Sequence, residues 1–154
     1  MKPLGRILLV EDSPRDAEMM LDALKDQQLA NEIVHLRDGA DALDYLYQRG
    51  PFASRSDGMP ALLLLDLKLP KVDGLEVLRQ IKDDAALKAI PVVMMTSSRQ
   101  EQDLVRSYEL GVNAYVVKPM KFHDFVEAVK QVGGFWAIVN EVPGNPRRDE
   151  SVRT

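Results

Sequence analysis

Short apolar runs of four or five residues alternate along this chain with amphipathic stretches. That alternation restricts the fold more than any other feature, because it is the signature of repeated βα units and a parallel sheet. Ile7-Leu8-Leu9-Val10 is apolar at every position, as a strand covered on both faces requires. Ser13 is placed to cap the next helix, with Pro14 at its first position and Asp16 three residues after the cap. Ala17, Met20, Leu21 and Leu24 then share one helical face. A weaker strand is expected over Glu32 to Leu36, followed by an Asp38-Gly39 turn and a helix carrying Leu43, Leu46 and Tyr47. Gln48 to Pro60 has the composition of a long surface loop.

Ala61 to Leu65 and Pro91 to Met95 are expected as strands three and four, and Ala114 to Val117 as strand five. Leu75, Leu78 and Ile81 mark a third helix, Ser98 to Leu110 a polar fourth, and Phe122, Phe125, Val126 and Val129 a fifth. The expected fold is α/β: a doubly wound, five-stranded parallel sheet with five helices on two faces, since right-handed crossovers distribute them so. The flavodoxin-like strand order 2-1-3-4-5 is assigned by analogy with that class.

Several classes of function are excluded early. The absence of cysteine removes disulfide scaffolds, thiolate zinc sites and cysteine nucleophiles together. The longest apolar runs, Ala61 to Leu65 and Phe135 to Val139, are far too short to cross a bilayer. Only four apolar residues separate Arg6 from Glu11-Asp12, so no signal peptide is expected. A net charge of −4 gives no electrostatic reason to bind nucleic acid. A cytoplasmic protein is the expectation.

In an open α/β sheet, ligands bind beyond the carboxyl ends of the strands. Here strand one ends in Glu11-Asp12, strand three in Asp66, strand four in Thr96 and strand five in Lys118-Pro119. A single acidic residue after a strand is ordinarily a cap or a solvated turn. Three from two adjacent central strands repel one another unless a cation sits among them. Hard oxygen donors in a small cluster suit Mg²⁺. A preformed nucleotide pocket is not expected, because Glu11-Asp12-Ser13-Pro14 presents charge and a missing N–H where a phosphate loop needs free donors. His35 and His123 have no nearby second histidine, and the scattered methionines are core fillers.

Glu11-Asp12, Asp66 with the following Leu67-Lys68-Leu69-Pro70-Lys71-Val72-Asp73-Gly74, then Thr96, Tyr115 and Lys118-Pro119 resemble the receiver domain of bacterial response regulators. The resemblance covers about residues 5 to 132. The stretch from Asp66 to Gly74, the motif Gly111-Val112-Asn113-Ala114-Tyr115 and Phe135-Trp136 further resemble the small response regulators encoded beside bacterial phytochromes. The resemblance implies that Asp66 is the phosphoacceptor, a carboxylate nucleophile that takes a phosphoryl group from a partner histidine kinase, with a phytochrome-type kinase as the expected partner. It implies Asp12, Asp66 and the Lys68 carbonyl as Mg²⁺ ligands, with Glu11 acting through water. Lys118 and Thr96 would stabilise the phosphoryl oxygens, and Pro119 would follow a cis peptide. Thr96 and Tyr115 correspond to the switch pair, whose hydroxyl and ring move on phosphorylation.

Lys68 departs from the subgroup, which often has Asn there. With Ser98 it flanks the path of attacking water, so both are candidates for tuning phosphate lifetime. An aspartyl-nucleophile phosphohydrolase is the enzymatic alternative, but it would want a second carboxylate where Lys68 stands. A regulatory phosphoacceptor rather than an enzyme is therefore expected; an interaction module that is never phosphorylated is the remaining alternative. The receiver domain is assigned to residues 1–132 and a C-terminal apolar extension with a tail to 133–154. Gly133-Gly134 weakens helical continuation by about 2 kcal/mol relative to alanines. Phe135, Trp136, Ile138 and Val139 follow, an apolar load expected to form a homodimer contact.

Overall fold

The computed structural model describes residues 5–26, 32–56, 58–97, 106, 108–112, 114–118 and 121–131. Its strands are β1 (Ile7–Val10), β2 (Ile33–Leu36), β3 (Leu62–Asp66), β4 (Val92–Thr96) and β5 (Ala114–Val117). They form one parallel sheet in the order β2-β1-β3-β4-β5, as expected. The helices are α1 (Pro14–Asp26), α2 (Gly39–Tyr47), α3 (Gly74–Asp83) and α4 (Phe122–Gln131). Thus α4 is the fifth helix of the sequence reading. Of the polar helix expected before β5, Arg106, Tyr108 and Glu109 are helical, and most of the rest lies outside the described residues.

The sheet is apolar on both faces because its residues feed two separate cores. Leu8, Val10, Leu63, Leu65, Val92 and Met94 pack with Leu43 and Leu46 of α2 and Val77, Leu78 and Ile81 of α3. Their strand neighbours Ile7, Leu9, Leu62, Leu64, Val93, Met95, Ala114 and Val116 pack with Met20 and Leu24 of α1 and Phe125 and Ala128 of α4. Alternation of side chains across a strand produces this partition. Each fully buried leucine of β3 contributes about 1.5–3 kcal/mol of transfer free energy.

Local chemistry sets the helix boundaries. Asp38 caps α2 by accepting from Asp41 N at 2.7 Å, and Asp73 caps α3 by accepting from Glu76 N at 3.1 Å. The loop before β3 holds a short 3₁₀ turn over Gly50–Phe52. Arg55 pins that loop, donating to Tyr45 O and Gly58 O while its guanidinium lies 4.0 Å from the Tyr45 ring centroid.

Two strands run one residue further than the apolar runs suggest. β3 closes on Asp66, paired in register with Met95, and β4 closes on Thr96. The polar residues at these ends therefore ride on the ladder itself.

Candidate functional site

The carboxyl ends of β1, β3, β4 and β5 bring Glu11, Asp12, Asp66, Thr96 and Lys118 to one edge of the sheet. Glu11 is fully buried, Asp66 and Thr96 nearly so, and Asp12 is exposed. One carboxylate oxygen each from Glu11, Asp12 and Asp66 fall within 4.8 Å of one another, a donor set fit for a divalent cation. Asp12 and Lys68 also line an open cavity of about 330 Å³ with Pro70, Asp73 and Leu75, so the exposed side of the cluster faces solvent.

Lys118 neutralises the buried side. Its ammonium donates to Glu11 Oε1 at 2.8 Å, Asp16 Oδ2 at 3.0 Å and Asp66 Oδ2 at 3.2 Å. Partial burial disfavours this charge, yet the bonds to Glu11 and Asp16 and the charge of Asp66 outweigh it and raise the lysine pKa. The balance at Asp66 goes the other way. Burial, then the hydrogen bond and charge of Glu11, outweigh Lys118 and push its carboxyl up to about 7. Crowding at this edge thus favours the protonated form of Asp66, where a bound cation would otherwise supply positive charge.

Backbone contacts hold the acceptor in place. Leu67 N donates to Met95 O at 2.8 Å, and Lys118 N to Thr96 O at 2.7 Å, so neighbouring strand ends tie the site together. Asp66 Oδ1 faces Lys68 N at 3.4 Å, while the Lys68 side chain is exposed. The β3–α3 loop can pass close behind Asp66 only because residue 74 is glycine: a Cβ there would lie 2.1 Å from Asp66 O. Gly39 is equally constrained, since its Cβ would meet Val72 O at 1.7 Å. His35 bonds through Nε2 to Glu11 O at 2.9 Å, a structural tie from β2 to the site.

Tyr115 is half-buried on the edge strand β5, its ring stacked on that of Tyr108 with centroids 6.3 Å apart. Ser98, Pro119, Phe135, Trp136, Ile138 and Val139 lie outside the described residues.

Sequence reasoning missed Asp16 as a site residue. Its spacing from Ser13 is that of a capping box, and half of the box forms: Ser13 Oγ accepts from Asp16 N at 3.2 Å. The reciprocal half does not. Ser13 N donates instead to Glu11 Oε2 at 3.1 Å, and the Asp16 carboxylate goes to Lys118. Local spacing carries no signal for that exchange.

Comparison with known proteins agrees with this geometry. The family model for the response regulator receiver domain matches residues 7–130. Response regulator Rcp1 of Synechocystis sp. is 44% identical over 137 residues, covering 89% of this chain and 92% of that protein. The structure of the Mn²⁺-bound form of Rcp1 superposes with a TM-score of 0.72 at 41% identity, over 91% of this chain and 99% of that one. The bacteriophytochrome response regulator AtBRR is 61% identical with a TM-score of 0.83, over 91% of this chain and all of that one. The phosphorylated cyanobacterial phytochrome response regulator RcpA is 43% identical with a TM-score of 0.72, over 86% and 94% of the two chains. With its strand order, its acidic cluster and a family match across nearly all of the described residues, this chain belongs to the response regulator receiver domain family.

Proposed function

We propose that this response regulator, acting in the cytoplasm, accepts a phosphoryl group on Asp66 from the phosphohistidine of a histidine kinase of phytochrome type. The observation that carries the reading is the convergence on Asp66 of one ammonium, from Lys118, and two further carboxylates, from Glu11 and Asp12. In the transfer, an Asp66 carboxylate oxygen forms a bond to phosphorus as the P–N bond to the kinase imidazole breaks, its electron pair leaving with the ring nitrogen. Mg²⁺ held by Asp12, Asp66 and the Lys68 carbonyl, with Glu11 in support, would neutralise charge on the carboxylate and the phosphoryl oxygens. Lys118 moves one N–H from Asp66 to a phosphoryl oxygen. Thr96, nearly buried at the end of β4, turns its hydroxyl to another.

That turn empties space beside β5, and Tyr115 moves inward to fill it, changing the surface that a downstream partner reads. Pro119 is assigned as the cis-proline that follows Lys118, and Lys68 and Ser98 set how readily water reaches the acyl phosphate. The apolar residues Phe135, Trp136, Ile138 and Val139 join two copies in a homodimer. The protein acts as a regulator rather than an enzyme, with no nucleic-acid or membrane partner; no helix among the described residues is long and apolar enough to span a bilayer.

The test is phosphotransfer from candidate kinases to the full chain, with Asp66→Asn and chelator as controls. Hydroxylamine-labile label on the wild type alone, lost on removing Mg²⁺, is the expected result. Equal labelling of Asp66→Asn refutes the assignment.

A further inference from the structure

The geometry points to Asp16 as a positioning residue for Lys118: the carboxylate that keeps the lysine in place when Glu11 and Asp66 turn to metal and phosphoryl group. This rests on the function proposed above. The ammonium has three N–H donors, and all three are engaged, to Glu11, Asp16 and Asp66. Two of those acceptors belong to the metal-holding cluster; Asp16 does not. Once a cation draws on Glu11 and Asp66, and once one Asp66 oxygen is bonded to phosphorus, both become poorer acceptors for the lysine. Asp16 alone is unaffected by either event.

The tether is anchored at its own end. Asp16 lies in the first turn of α1, where its N–H is held by Ser13 Oγ and Ala17 N donates to Ser13 O at 2.9 Å. Because Glu11 Oε2 has taken Ser13 N, the Asp16 carboxylate is released from the cap and reaches a lysine 102 positions along the chain. Without it, a flexible four-carbon stem with a strongly hydrated head would have to find the phosphoryl oxygens from many rotamers.

The experiment uses the full chain with acetyl phosphate as donor, which removes kinase docking from the comparison. At saturating Mg²⁺ and donor, Asp16→Ala is expected to lower the rate of Asp66 labelling about tenfold, as misplacing a charged group does. Mg²⁺ affinity by calorimetry should stay within about twofold, and Asp16→Glu should recover most of the rate, since the charge is retained. In a Lys118→Ala background, Asp16→Ala should add nothing. An unchanged or faster rate overturns the inference. So does a parallel loss of Mg²⁺ affinity, or a full additional loss without Lys118. A second readout needs no phosphorylation: the ¹⁵Nζ signal of Lys118 in the Mg²⁺-loaded protein should be protected from exchange in the wild type and lost in Asp16→Ala. If the wild type takes no label on Asp66, the proposed function fails. The Nζ signal still judges the tether.

Discussion

Replacing Asp66 by Asn should stabilise the metal-free protein at alkaline pH, although it removes a residue bonded to Lys118. Asn is nearly isosteric with the protonated carboxyl, and the Asp66 carboxyl is pushed from 3.8 to about 7 by burial and by Glu11 against the pull of Lys118. The native state therefore binds more protons than the unfolded chain between those two values, so wild-type stability falls as pH rises through that window. At pH 8 the full effect is about 4 kcal/mol, taking 1.36 kcal/mol per tenfold change in proton affinity. Relaxation of the site and water around exposed Asp12 reduce this to about 2–4 kcal/mol. With a urea slope of about 1–3 kcal/mol/M, the variant's midpoint should lie about 0.7–4 M higher at pH 8. Near pH 4 the gap should shrink below about 1 kcal/mol, because Asp66 is then protonated in the native state and close to half protonated in the unfolded chain. Mg²⁺ at a hundred times its Kd should close the gap at pH 8 by stabilising the wild type by about 2.7 kcal/mol. The assay is urea unfolding followed by circular dichroism from pH 4 to 8 in chelator-treated buffer. A destabilised variant at pH 8, or a gap that does not change with pH, refutes the picture of mutually repelling buried carboxylates.

Gly74→Ala should lose about 3 kcal/mol or more in urea unfolding, because its Cβ would press 2.1 Å from Asp66 O and 2.8 Å from Leu67 O, both backbone atoms; stability within 0.5 kcal/mol of wild type would show that the loop yields freely. Lys68→Asn should shorten the acyl phosphate half-life with kinase removed, since a smaller neutral side chain admits water more easily; an equal or longer half-life counts against that role. Truncation after Val132 should convert a dimeric full chain to monomer in light scattering, and a monomeric full chain or an equally dimeric truncation defeats the dimer proposal.

Much of this protein is legible in one dimension. Two-faced apolar runs such as Ile7–Val10, alternating with amphipathic stretches, point to a parallel sheet covered on both faces. Once that sheet is accepted, Glu11, Asp12, Asp66, Thr96 and Lys118 must meet, because parallel strands deliver all their carboxyl ends to one edge. Caps such as Asp38 and Asp73 are equally local, each accepting from an N–H three residues ahead. Tertiary structure decided what local spacing cannot encode. Asp16 carries the pattern of a helix cap, but its carboxylate is taken by an ammonium from the far end of the sheet, while Glu11 replaces it at Ser13. Asp66 is an ordinary aspartate in sequence; its proton affinity is set by how many charges and how little water the folded edge leaves around it. Hydrophobic period and backbone capping depend on neighbours along the chain, whereas charge acts through space among groups that only folding brings together.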